Sequence, residues 1–177
     1  QMIQFAKFTH VRGSLFGEAK DHDQVFVGGK PNTAYFKKLD ARIAALNDIG
    51  IVFDLILIPD PEVYRRAFQD WRAREAFLRY VISRYAPFNM TWQVSKRFEG
   101  VTDGRALVKE IGIFLRQNDP YDHPKTPGGA LSSSPLLGDQ WMNYLTTENA
   151  PWALTAVEHQ LYTLPFVNSI SGALDPE

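Results

Sequence analysis

Apolar and polar residues alternate with period two over residues 8–15 (Phe-Thr-His-Val-Arg-Gly-Ser-Leu), which predicts a first strand. From Asn32 the spacing lengthens. Tyr35, Leu39, Arg42/Ile43 and Leu46 recur at helical intervals up to Asn47, and Gly50 stands just past the end as a stop. Residues 51–58 are almost continuously apolar and β-branched and are closed by Pro59 and Pro61, the pattern of a strand covered on both faces. Helical spacing returns over residues 62–85, read as one long helix that Pro87 ends. Residues 88–94 predict a strand. Residues 103–118 predict a helix with Asp103 as N-cap and Leu107, Ile111 and Leu115 on its inner stripe. Beyond Asp119-Pro120, residues 128–134 and 141–146 read as short strands. Residues 152–161 read as a helix opened by Pro151, and residues 165–170 as a last strand. Residues 17–30, with Asp21-His22-Asp23 and Gly28-Gly29, read as a loop.

Strand and helix alternate about five times without a hairpin signal, which predicts βα units and a parallel sheet in a single domain spanning residues 1–177. Two α/β architectures fit: an open doubly wound sheet and a (β/α)8 TIM barrel. Gly13, Gly17, Gly28 and Gly29 match neither G-x-G-x-x-G nor G-x-x-x-x-G-K, which argues against a nucleotide-binding domain. Polar residues cluster beyond the C-terminal ends of several strands, as barrel enzymes arrange them. About six strands are visible, whereas barrels run to about 250 residues, so a barrel is expected to be incomplete in this chain. The start, Gln1-Met2-Ile3-Gln4, resembles neither a signal peptide nor a translation start, and the chain is expected to be a piece of a longer one.

Composition narrows the partners. Nineteen Lys and Arg against 20 Asp and Glu leave a net charge of −1, so bulk attraction to nucleic acid is not expected. No apolar run reaches the roughly 18 residues of a membrane span, and no membrane partner is expected. With 45% hydrophobic and 22% charged residues the chain reads as globular. The absence of cysteine excludes disulfides, thiolate nucleophiles and cysteine-built zinc sites, and leaves the compartment open. His10, His22, His123 and His159 show no i, i+4 metal pairing, and neither metal nor cofactor is expected.

The most informative stretch for chemistry is residues 92–99, Trp-Gln-Val-Ser-Lys-Arg-Phe-Glu, which follows a predicted strand with polar residues. Glu99, between the aromatic Trp92 and Phe98 and the end of that stretch, is the candidate general acid. The plainer reading is a solvated loop glutamate neutralised by Lys96 or Arg97. Trp92 and Trp141 fall near strand ends, where flat rings stack on sugar faces, although core packing is the default for each. His123-Pro124 sits at a strand entry, where a hydrogen-bonded structural histidine is the simpler account. Ser132-Ser133-Ser134 lacks a G-x-S-x-G elbow and reads as a hydroxyl-rich turn.

The ordered set of motifs carries a resemblance. It runs through Phe8-Thr9-His10-Val11-Arg12-Gly13-Ser14, Ile51-Val52-Phe53-Asp54, Arg79-Tyr80-Val81-Ile82-Ser83-Arg84-Tyr85-Ala86 and Asn89-Met90-Thr91-Trp92-Gln93. It continues through Lys109-Glu110-Ile111-Gly112, Asp119-Pro120-Tyr121-Asp122-His123-Pro124, Ser133-Ser134-Pro135-Leu136, Glu158-His159-Gln160-Leu161-Tyr162 and Pro165-Phe166-Val167-Asn168. From about Phe5 to Asn168 the chain resembles the apiosidase-like glycoside hydrolase domain. The resemblance implies a (β/α)8 barrel of the retaining-glycosidase type, of which this chain holds about strands 2 to 7. Another segment or chain would complete it. It also implies hydrolysis of O-glycosidic bonds in a plant or microbial polysaccharide by two carboxyls about 5–5.5 Å apart. Glu99 is then the acid/base. Arg12, Trp92, Gln93, Lys96, His123, Trp141 and Asn168 are the candidates for holding carbohydrate. Two departures point to an alternative. Counting from Trp92 puts Arg97 where the acid belongs, and Ile170 stands where the nucleophile belongs. Neither side chain can do that chemistry, so the alternative is a catalytically inactive, carbohydrate-binding or structural barrel.

Overall fold

In the computed structural model, which describes residues 8–16, 25–27, 30–58, 60–99, 101–129, 131–148 and 150–169, the alternating first segment forms β1 (His10–Ser14). A two-residue antiparallel pair follows, β2 (Phe26–Val27) with β3 (Lys30–Pro31), in a stretch where the sequence shows only a loop. The Asp21-His22-Asp23 and Gly28-Gly29 clusters lie outside the described residues.

Helix α1 (Thr33–Asp48) starts where the Asn32 side chain accepts from the backbone N–H groups of Ala34 and Tyr35, two donors that have no intrahelical partner. It buries Phe36, Leu39 and Ile43. The apolar run forms β4 (Val52–Ile58). The expected long helix is two: α2 (Pro61–Ala67), capped by Asp60, and α3 (Trp71–Tyr85), capped by the Asp70 side chain bonding Ala73 N–H. Asp70 therefore restarts the helix at a point where the apolar periodicity carries on without a break, which is why spacing alone merges the two. Next come β5 (Met90–Ser95) and α4 (Gly104–Asn118), which buries Leu107, Val108, Ile111, Phe114 and Leu115. Asp103 precedes α4 but does not cap it with its side chain. Its backbone is left-handed (φ 53°), and Arg65 from α2 donates to the carbonyls of Thr102 and Asp103.

The strand expected over residues 128–134 lies earlier, as β6 (Lys125–Thr126), and Ser134–Asp139 forms a 3-10 turn. Gly128 at φ +76° breaks the extended backbone, and the serine hydroxyls take up backbone donors: Ser132 accepts from Ser134 N–H and Ser133 from Thr146 N–H. The strand expected over residues 141–146 is shifted to β7 (Leu145–Glu148). Gln140 is left-handed, Trp141 turns into the core, and the Asn143 side-chain Oδ1 accepts from Lys125 N–H. Helix α5 (Trp152–Leu161) and β8 (Phe166–Ser169) end the described chain.

All the longer strands are parallel. One sheet has the order β1-β4-β5-β6 and a second pairs β7 with β8. The two sheets meet through Asn143 N–H donating to Lys125 O (2.9 Å) and the paired hydroxyls of Thr126 and Thr146 (3.1 Å). Among β1, β4, β5, β6, β7 and β8 chain order is thus spatial order, with the β2–β3 pair standing apart. The core lies between this sheet and helices α1, α3 and α4. Gly112 on α4 has no room for a side chain, because an added Cβ would stand 2.2 Å from the Trp141 ring.

Candidate functional site

Register sorts the candidate residues onto two faces, because neighbours in a parallel ladder point the same way. Arg12, Asp54 and Thr91 form one row, and Ser14, Ile56, Gln93 and Thr126 form the next on the same face. Gly13, Leu55, Trp92 and Lys125 lie on the other.

The first row is a hydrogen-bonded cluster. Asp54, 1% exposed in the middle of an apolar strand, accepts from Arg12 (2.6 Å), Thr91 Oγ1 (2.7 Å) and Tyr144 Oη (3.4 Å). His10 is exposed and meets Thr91 Oγ1 at 3.2 Å. Burial pushes the Tyr144 hydroxyl far above its ordinary range, so it stays a neutral donor. Arg12 is therefore committed to an internal partner, which satisfies the charge of a carboxylate that could not be buried alone.

At the N-terminal ends of the strands stands a second cluster. Trp92 is fully buried and its indole N–H donates to Asp119 (2.9 Å), the residue that ends α4. Asp119 also accepts from the backbone N–H groups of Tyr121 and His123 and faces His123 Nδ1 at 3.0 Å. Burial works to raise the Asp119 carboxyl, but the hydrogen bonds from Trp92, His123 and the two backbone groups outweigh it and hold the carboxyl below its ordinary value. Lys125, wholly buried, reaches Asp122 at 2.6 Å and Asn143 at 3.2 Å. Trp92 and His123 thus sit together, at the end opposite to the one where a parallel α/β sheet places its chemistry.

The C-terminal ends hold a different group. Gln93 is 3% exposed. Its amide N–H donates to Ser95 O (2.8 Å), while its Oε1 has no partner. Gly128 covers it, since a Cβ there would lie 1.8 Å from Ser95 O and 2.8 Å from Gln93 Nε2. Lys96, Arg97 and Glu99 are exposed just beyond β5, and Glu99 Oε1 lies 3.0 Å from where a Gly129 Cβ would be. Glu148 closes β7 and is buried. Asn168 lies on β8 and its Oδ1 accepts from Thr147 Oγ1 (3.1 Å), a residue adjacent to Thr146 and so on the opposite face from Thr126. Trp141 is buried against α4, with its indole N–H unpaired.

Of the residues singled out in the sequence, the structure brings Gln93, Lys96 and Glu99 to one end. Arg12 lies mid-strand on the Gln93 face. Trp92, His123 and Trp141 lie in the core or at the far end. Asp54, Tyr144 and Glu148 escape sequence reasoning. The signal for Asp54 is present, a lone charge within an apolar strand. Glu148 has none, because β7 is expected to end before it. No group of three or more potential metal ligands occurs among the described residues, and no helix among them is long and apolar enough to cross a membrane.

No protein-family model and no curated protein matches the chain. Solved structures do. A glycoside hydrolase family 5 protein from Bacteroides vulgatus ATCC 8482 superposes with a TM-score of 0.66 at 15% identity, covering 94% of this chain and 43% of its own. The fold is glycoside hydrolase-like. A second protein from Bacteroides vulgatus ATCC 8482, described as a glycoside hydrolase, gives 0.60 at 22% identity, covering 77% of this chain and 28% of its own. A third glycoside hydrolase gives 0.59 at 14% identity, covering 80% and 35%. The chain therefore matches less than half the length of each.

Proposed function

We propose that the chain forms strands 2 to 7 of a (β/α)8 barrel of the apiosidase-like type and hydrolyses O-glycosidic bonds in a plant or microbial polysaccharide. The observation that carries this reading is the strand order: parallel strands β1, β4, β5 and β6 follow one another in space as in sequence, with no switch point. A doubly wound sheet reverses direction at its binding crevice, whereas a barrel does not. No strand pairs with the outer side of β1 or of β8 among the described residues, and another segment or chain would close those edges.

In this reading Glu99 is the proton donor to the leaving oxygen. Gln93 and Lys96, at the same end, hold hydroxyls. Arg12, bound to Asp54, shapes the floor. Trp92, His123 and Trp141 serve the fold that carries them. A second reading, a barrel that binds carbohydrate without cleaving it, is favoured by Arg97, an exposed guanidinium that never gives up its proton. A panel of nitrophenyl glycosides separates the two. Hydrolysis requires nitrophenol release by the wild type and at least a tenfold loss in Glu99→Gln. Binding by calorimetry without release would establish the second reading, and neither binding nor release would overturn both.

A further inference from the structure

Helix α5 is joined to the body in a different way from α3 and α4. Those two bury stripes of apolar side chains, Phe77 to Tyr85 and Leu107 to Leu115. In the ten residues of α5 the one buried side chain is a carboxylate, Glu158, 5% exposed. Leu154 and Thr155 are half-buried and the rest are exposed, with Trp152 at 75%. The usual amphipathic order is inverted, with the charge inward and Trp152, Val157 and Leu161 outward. Nor can α5 hold itself. Ten residues are too few for a stable helix in water without tertiary support, and no side chain caps its start at Pro151.

What ties α5 down is polar. Glu158 accepts from the hydroxyls of Ser132 (2.8 Å) and Ser134 (2.7 Å). These serines are anchored without the helix. Ser133, between them, donates its backbone N–H to Thr146 O (3.0 Å), and its hydroxyl accepts from Thr146 N–H (2.8 Å). One half of the joint is therefore fixed to β7, and the other rides on α5. On opening, Glu158 and the two hydroxyls exchange each other for water, so the closed state is only modestly favoured. Elements with few apolar contacts are the ones that open locally, below the free energy of global unfolding.

We propose that α5 is a latch-held element that opens and closes independently of the core, Glu158 being its tongue and the Ser132 and Ser134 hydroxyls its catch. The catch adjoins the C-terminal end of the sheet. Ser132 O stands 3.2 Å from where a Gly129 Cβ would be, the same point that Glu99 Oε1 approaches to 3.0 Å. Opening thus frees two hydroxyls beside the edge assigned to the glycosidase chemistry, while the latch itself does not depend on that reading.

Amide hydrogen exchange of the whole chain, read by mass spectrometry, tests the proposal. In the wild type α5 is expected to be protected, but less than α3 and α4. Glu158→Ala is expected to lower α5 protection about tenfold and leave α3 and α4 unchanged. Ser134→Ala, which deletes one of the two donors, is expected to lower it several-fold. Unchanged α5 protection in Glu158→Ala would overturn the latch, because apolar contacts would then hold the helix. An equal loss across α3, α4 and α5 would overturn it as well, since α5 would then belong to the global unit. Should Glu158→Ala fail to fold, exchange of the wild type in low urea decides. Exchange of α5 by a local opening nearly insensitive to urea supports the latch, and a urea dependence equal to that of α4, or no protection of α5 at all, overturns it.

Discussion

The two ends of the parallel sheet solve opposite problems with similar residues. At the N-terminal end, Asp119 is a partly enclosed carboxylate whose every neighbour donates to it: the Trp92 indole, the His123 ring and two backbone N–H groups. At the C-terminal end, Gln93 is equally enclosed, yet its Oε1 is left without a donor. A closed network fastens the fold, whereas an acceptor without a donor adds nothing to it. The distinction separates Trp92 and His123, which look functional in sequence, from Gln93, whose Oε1 the folded chain leaves unpaired.

The largest effect expected from challenging this contrast is at Asp119. Asp119→Ala strands the Trp92 indole and two backbone donors, and a loss of about 3 kcal/mol is expected in urea unfolding. The same carboxyl gives an acid signature. Its folded value is depressed relative to the unfolded chain, so its stabilisation is complete above about pH 4 and declines as pH falls through the folded value. Melting temperature followed from pH 6 to pH 2 should fall in the wild type more steeply than in Asp119→Asn. Next comes Trp92→Phe, which keeps a buried ring and deletes one hydrogen bond, with an expected cost of about 2 kcal/mol. Smallest is Lys96→Ala at the open end, where stability should stay within about 0.5 kcal/mol by denaturant titration. A Lys96 cost rivalling that of Trp92 would erase the contrast between the two ends.

Much of the fold was legible because periodicity reports burial directly. Residues 51–58 and 103–118 present the stripes that the sheet and α4 bury. What spacing could not report was where local hydrogen bonding overrides it. Asp70 starts a new helix inside an unbroken apolar pattern, and the serines at 132–134 draw backbone donors into a turn. The site was harder to read, because a tryptophan near a strand end looks the same in sequence whichever face it takes. Trp92 falls on the face opposite Gln93, one residue away, and only the register with Leu55 and Lys125 decides that. Glu148 depended on a strand boundary, the feature that sequence patterns define least well.

The missing side chain at Gly112 reaches further than packing. With the Trp141 ring filling the space that a Cβ would occupy, α4 can neither slide nor turn about its axis without displacing the segment that leads into β7. The helix surface and the placement of the last acidic group on that strand are geared to each other. A single methyl group added on the helix would therefore be felt at that strand as a shift in position.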